Sequence, residues 1–125
     1  MKLIFLCIFI FVSTTISCFA TSIEYQEKVS TTFLIVTDWA TTRNMSKRYD
    51  EGYRETGYVM TKLYGTQPST REVDTYFVGR LLLHYFISNT KTLSYDQRKI
   101  YYTFTFFDHG SAVVNNLSIG LKINF

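Results

Sequence analysis

Cysteine, proline and clustered charge are what this chain has least of, and each shortage closes off a class of explanation. The only two cysteines, Cys7 and Cys18, lie within the first 18 residues. If that segment is removed, neither a disulfide nor thiolate chemistry remains. The single proline, Pro68, punctuates the middle of the chain. No run of five or more basic residues occurs, so a nucleic-acid partner is excluded on charge pattern. There is no G-x-S-x-G nucleophile elbow, and no H-x-x-x-H or H-E-x-x-H pair. Gly52, Gly57 and Gly65 stand too far apart for a phosphate-binding loop. No cofactor, metal or catalytic residue is expected on these grounds.

What is present begins with an address. Lys2 precedes an uninterrupted apolar run at residues 3–12, and a small-residue stretch ends in Cys18-Phe19-Ala20. That order fits an export signal cleaved after Ala20. The run is about ten residues, short of the ~20 that a membrane span requires. Two other readings stay open. The segment could remain as an uncleaved hydrophobic helix, or Thr15-Ile16-Ser17-Cys18 could serve as a poor lipobox with Cys18 lipidated. Removing residues 1–20 leaves one domain, 21–125, with Lys2 subtracted from the 13 basic residues to give 12 against 10 acidic. All ten tyrosines and Trp39 survive. Rings of this kind suit a packed core, an interface or a membrane boundary.

The fold expected is mainly α: a three-helix bundle after the N-terminal segment, with a short strand-like tail. Thr21-Ser22-Ile23-Glu24 has capping-box spacing, and Val29, Phe33, Val36 and Ala40 recur on one helical face to about Lys47. Residues 49–68 read as a solvated connection with a short helical turn near Tyr58. Ser69 and Glu72 form a second capping box, and residues 76–87 beyond it are apolar on almost every face. Ser94 and Gln97 form a third, predicting helix to about Val114 against a competing strand pattern in Tyr102, Phe104 and Phe106. From Leu117 to Phe125 apolar residues occupy every odd position, the period of a strand.

Each predicted helix holds ionisable groups in apolar company: Asp38, then Arg80 and His84, then Asp108 and His109. Bundling would bring them together as a polar network that fixes helix register, since buried charges must pair. The competing reading is a small metal-dependent hydrolase using His84, His109 and Asp108.

Several stretches also resemble small, uncharacterised bacterial and phage envelope proteins. They are Asp38-Trp39-Ala40-Thr41-Thr42, then Glu55-Thr56-Gly57, then residues 63–69, LYGTQPS, then Val73, Tyr76-Phe77 and His84. In that family a D-W-x-x-T helix leads to an E-x-N-P-x-L-G-x-x-P-S loop and a helix with Y-F and a later histidine. Here Gly57-Tyr58 replaces the asparagine-proline step. The resemblance implies a helical, membrane-associated protein with no established activity, and it singles out Asp38, Thr42, Glu55, Gly65, Pro68, Ser69 and His84. The expectation is therefore an exported protein on the periplasmic side of the envelope, held at a membrane. It would act by structural contacts, with a protein partner or a second copy possible.

Overall fold

The structure is a computed structural model that describes residues 22–123 and residue 125. The export signal, the hydrophobic-helix alternative and the lipidation reading of Cys18 lie outside the described residues. Among the described residues four helices occur in order: α1 (Ile23–Met45), α2 (Tyr58–Tyr64), α3 (Thr70–Asn89) and α4 (Tyr95–Ser118). A single 3-10 turn (Tyr49–Glu51) lies between α1 and α2. The described residues contain no strand.

Local chemistry sets the helix starts. Ser69 Oγ accepts from the Glu72 amide while the Glu72 carboxylate accepts from the Ser69 amide at 2.7 Å, a complete capping box for α3. Ser94 and Gln97 do the same for α4. At α1 the cap falls one residue later than the Thr21–Glu24 spacing suggested. Ser22 Oγ accepts from the Tyr25 amide at 3.3 Å, and Tyr25 cannot return the bond, so this cap is one-sided.

Helix α1 lies between the other two long helices. Lys28 Nζ donates to Asn89 and Ser46 meets Thr70, so α3 runs antiparallel to α1. Arg98 pairs with Glu24, and the Lys122 amide donates to Asn44, so α4 runs parallel to it. Between α3 and α4 the backbones stay apart and the contacts are made by side chains.

The expected inward face of α1 needs correction. Phe33 is 66% exposed, whereas Thr31, Ile35 and every residue from Thr37 to Met45 are buried. The C-terminal half of this helix is enclosed by α2, α3, α4 and the tail, so no side of it is a solvent face. The apolar core is small: Ile35, Trp39, Met60, Val73 and Phe77, flanked by Tyr64, Tyr76, Leu81 and Phe125. Trp39 stacks on Phe77 at 6.3 Å, and Phe125 meets its edge at 5.5 Å.

The strand-like tail is also corrected. Leu117 and Ser118 complete α4, and Gly120 at φ 87° turns the chain. Past this glycine an irregular segment returns over the end of α1. Only Leu121 and Phe125 of the alternating set pack inward; Ile123 is 60% exposed. A period-two pattern needs a neighbouring strand to share backbone hydrogen bonds, and helices offer none. The aromatic–threonine alternation in residues 101–107 is helical for the same reason, with Tyr102 and Thr105 inward and Phe104 outward.

Candidate functional site

The most connected group in the molecule surrounds Asp38, near the middle of α1. Asp38 and Thr42 are four residues apart and share a helix face, so the Thr42 hydroxyl reaches Asp38 Oδ1 at 3.1 Å. From α4, His109 Nδ1 lies 2.7 Å from Asp38 Oδ2. Asn116, seven residues further along α4, returns to the same face. Its amide donates to Thr41 Oγ1 at 3.0 Å and, at 3.4 Å, to both Asp38 Oδ1 and Thr42 Oγ1. From α3, Arg80 Nη2 lies 3.1 Å from His109 Nε2 and 3.4 Å from Asp108 Oδ2.

The network fixes the histidine tautomer. A guanidinium can only donate, so His109 Nε2 accepts, and the ring proton sits on Nδ1 and points at the Asp38 carboxylate. Both Asp38 oxygens and both His109 nitrogens are thereby engaged. A carboxylate so fully bonded ties α1, α3 and α4 in one register, and no lone pair of the imidazole is left to act on a substrate.

Five of the residues singled out from the sequence, Asp38, Thr42, Arg80, Asp108 and His109, thus come together. His84 does not join them. It lies one turn beyond Arg80, where its Nε2 sits 2.9 Å from Thr32 Oγ1 and 3.3 Å from the Lys28 carbonyl. That carbonyl can only accept, so the proton is on Nε2, and buried Nδ1 has no hydrogen-bond partner. The rings of Tyr101 and Tyr102 flank it at 5.7 and 5.9 Å. The hydrolase reading required His84, His109 and Asp108 to converge. Among the described residues no group of three or more His, Cys, Asp or Glu side chains is placed to hold a metal ion.

The loop residues act on one another. Glu55 is buried, its amide donates to the Thr66 carbonyl at 2.9 Å, and its carboxylate accepts from the Gly57 amide at 2.5 Å. Burial pushes the Glu55 carboxyl above its ordinary value. The Gly57 and Thr56 amides pull it partly back, and the nearby Asp38 charge adds to the rise. A β-carbon on Gly57 would stand 2.8 Å from that carboxylate oxygen. Gly65 closes α2 at φ 80° and ψ −170°, a conformation closed to side-chain-bearing residues. Tyr49 donates to the Pro68 carbonyl at 2.8 Å, and its hydroxyl is pushed up to about 12, chiefly by burial. Ser69 is the α3 cap, and it holds the Glu72 carboxyl below the usual range through side-chain and then backbone hydrogen bonds.

One cluster escapes a reading of the sequence. Asp74 Oδ1 accepts from both Trp39 Nε1 and Arg43 Nε at 2.8 Å. Trp39 and Arg43 are four apart on α1, so a shared acceptor was readable as spacing, but nothing local marked Asp74 as that acceptor. Asn116 likewise stands out in the sequence only as an echo near the aromatic terminus.

No protein-family model, no curated protein and no solved structure matches this chain. Geometry alone therefore has to support any functional reading. One part of that geometry concerns membranes directly: among the described residues, no helix is by itself long and apolar enough to cross one.

Proposed function

We propose that this chain is an exported helical protein of the cell envelope, seated in a membrane as a bundle and acting through contacts with lipid and protein. The observation that carries the reading is the inversion of polarity across the bundle. Thr31, Thr37, Asp38, Thr41, Thr42, His84, Thr105, His109 and Asn116 are buried. Leu82, Phe86, Ile100, Phe104, Phe107 and Val114 are between 65% and 77% exposed. A water-soluble bundle arranges these types the other way round. In a bilayer, polar side chains turn to the bundle interior and apolar ones face the acyl chains.

The charges lie at the two ends. Between Lys28 and Arg43 on α1, between Asp74 and the end of α3, and between Lys99 and the end of α4, the helices run about 22, 22 and 28 Å. Within those lengths the only charged or titrating side chains besides tyrosine are Asp38, Arg80, His84, Asp108 and His109. A hydrocarbon layer is ~30 Å thick. On α1 and α4 the belt alternates with inward polar residues, so neither helix is apolar along its whole length. The short α2 suits the interface at one end: Tyr58, Val59 and Leu63 are exposed beside Lys62, while Met60 enters the core.

Alkaline carbonate extraction of cell membranes tests the proposal. The protein is expected to remain in the pellet and to be released by detergent. Recovery as a monodisperse protein in the carbonate supernatant would overturn it. Intact-mass analysis of the same material reports whether the chain begins after Ala20.

A further inference from the structure

We propose that two copies of this chain associate through the face formed by α3 and α4, with Arg80 of each copy pairing with Asp108 of the other. The inference rests on the membrane reading, because in a bilayer an exposed carboxylate at mid-belt is costly unless it is well paired. The Asp108 side chain is 65% exposed, although it sits halfway along α4 between the strongly exposed Phe104 and Phe107. Along α4 the nearest other charge is Lys99, more than two turns away. Within its own chain Asp108 has one charge partner, Arg80, at 3.4 Å through a single oxygen.

Arg80 is incompletely used as well. Its Nη2 is shared between Asp108 and His109, and its side chain is 24% exposed on this face. A guanidinium carries five N–H donors in a fixed fork, more than these two contacts use. The face therefore presents one underused cation beside one exposed anion, and Leu83 and Phe104 offer apolar cover around them. Such a patch is complementary to itself. A two-fold axis brings Arg80 onto the other copy's Asp108 and returns the reciprocal pair without further adjustment. Lipid satisfies the rings but gives the carboxylate no partner. A partner of one charge sign would repel either Arg80 or Asp108. A second copy meets both requirements.

The test counts subunits of the full chain by single-molecule photobleaching in phosphatidylcholine vesicles over a range of lipid dilutions. Wild type is expected to be dimeric, and Asp108→Asn to raise the dissociation constant by about tenfold or more, equivalent to ~1.4 kcal/mol. Asp108→Arg and Arg80→Asp should each be monomeric alone, and mixing them should restore a dimer, since both cross-pairs then join opposite charges. Circular dichroism checks the helical content of each variant. If Arg80→Asp fails to fold, having lost its bond to His109, Asp108→Asn decides the matter alone. A wild-type monomer at every dilution, or an Asp108→Asn dimer as tight as wild type, would overturn the proposal. A monomer in vesicles sinks the dimer and leaves the membrane reading standing. A dimer that persists in buffer without lipid or detergent upholds the pairing and sinks the membrane reading instead.

Discussion

The two histidines occupy comparable positions and live in opposite circumstances. Each is almost fully buried, and each is approached by side chains from a neighbouring helix. His109 has both ring nitrogens bonded, to Asp38 and Arg80. His84 has one nitrogen on α1 and the other bare among tyrosine rings. The first is the keystone of a network that joins α1, α3 and α4. The second tolerates a missing partner, so little of the fold depends on its polarity.

Substitutions can break that contrast. The largest effect is expected from Asp38→Ala, which strands the His109, Thr42 and Asn116 donors in the interior. Removing one member of a buried pair costs about 3–5 kcal/mol, so folded yield and membrane retention should collapse. Normal yield and fractionation of this variant would refute the register-lock account. His109→Phe should come next at about 2–4 kcal/mol, because it leaves the Asp38 carboxylate without its shortest contact. Detergent-solution melting would measure it against His84→Phe, expected within about 1 kcal/mol of wild type. That variant removes the unsatisfied Nδ1 together with the Nε2 contacts to Thr32 and the Lys28 carbonyl, so the two effects partly offset. Equal losses for the two would erase the difference between the histidines.

The connecting loop allows a finer comparison between geometry and charge. Gly65→Ala forces a β-carbon into a backbone region reserved for glycine and should cost about 1–3 kcal/mol, read as a drop in melting temperature. The smallest effect is a pH dependence at Glu55. Burial raises its folded-state pKa above the ordinary 4.5, so folding favours the protonated form. The stabilisation is complete below the unfolded value and is lost as pH rises through the folded one. Amide exchange at Glu55, which bonds the Thr66 carbonyl, should quicken across that window beyond the intrinsic rise with pH. In Glu55→Gln that excess should vanish.

Much of this architecture is legible in the residues themselves. The Ser69–Glu72 and Ser94–Gln97 boxes depend on residues three apart, so they survive whatever the rest of the chain does. The meeting of Asp38 with Arg80, Asp108 and His109 also comes from chemistry, since a charge among apolar residues must find company. Burial is harder to read. Phe33 is expected inside because apolar periodicity places it on the inward face, and the bundle turns threonines inward instead. The alternation from Leu117 to Phe125 misleads for a related reason: period alone does not reveal whether a partner strand exists. His84 groups with the Asp38 network in the sequence because it shares a face with Arg80. One helical turn carries it to a level where α4 offers Tyr101 and Tyr102 in place of Asp38's neighbours.

The bond between Asp38 and His109 joins residues 71 positions apart, and Asn116 is further still. Helix α1 therefore leaves the ribosome with its carboxylate unanswered and waits through the making of α2, α3 and most of α4. Of the described helices, α1 is made first and the partners of its carboxylate arrive last. Its Asp38 is held in abeyance until α4 arrives, so the polar network cannot close before that helix is made.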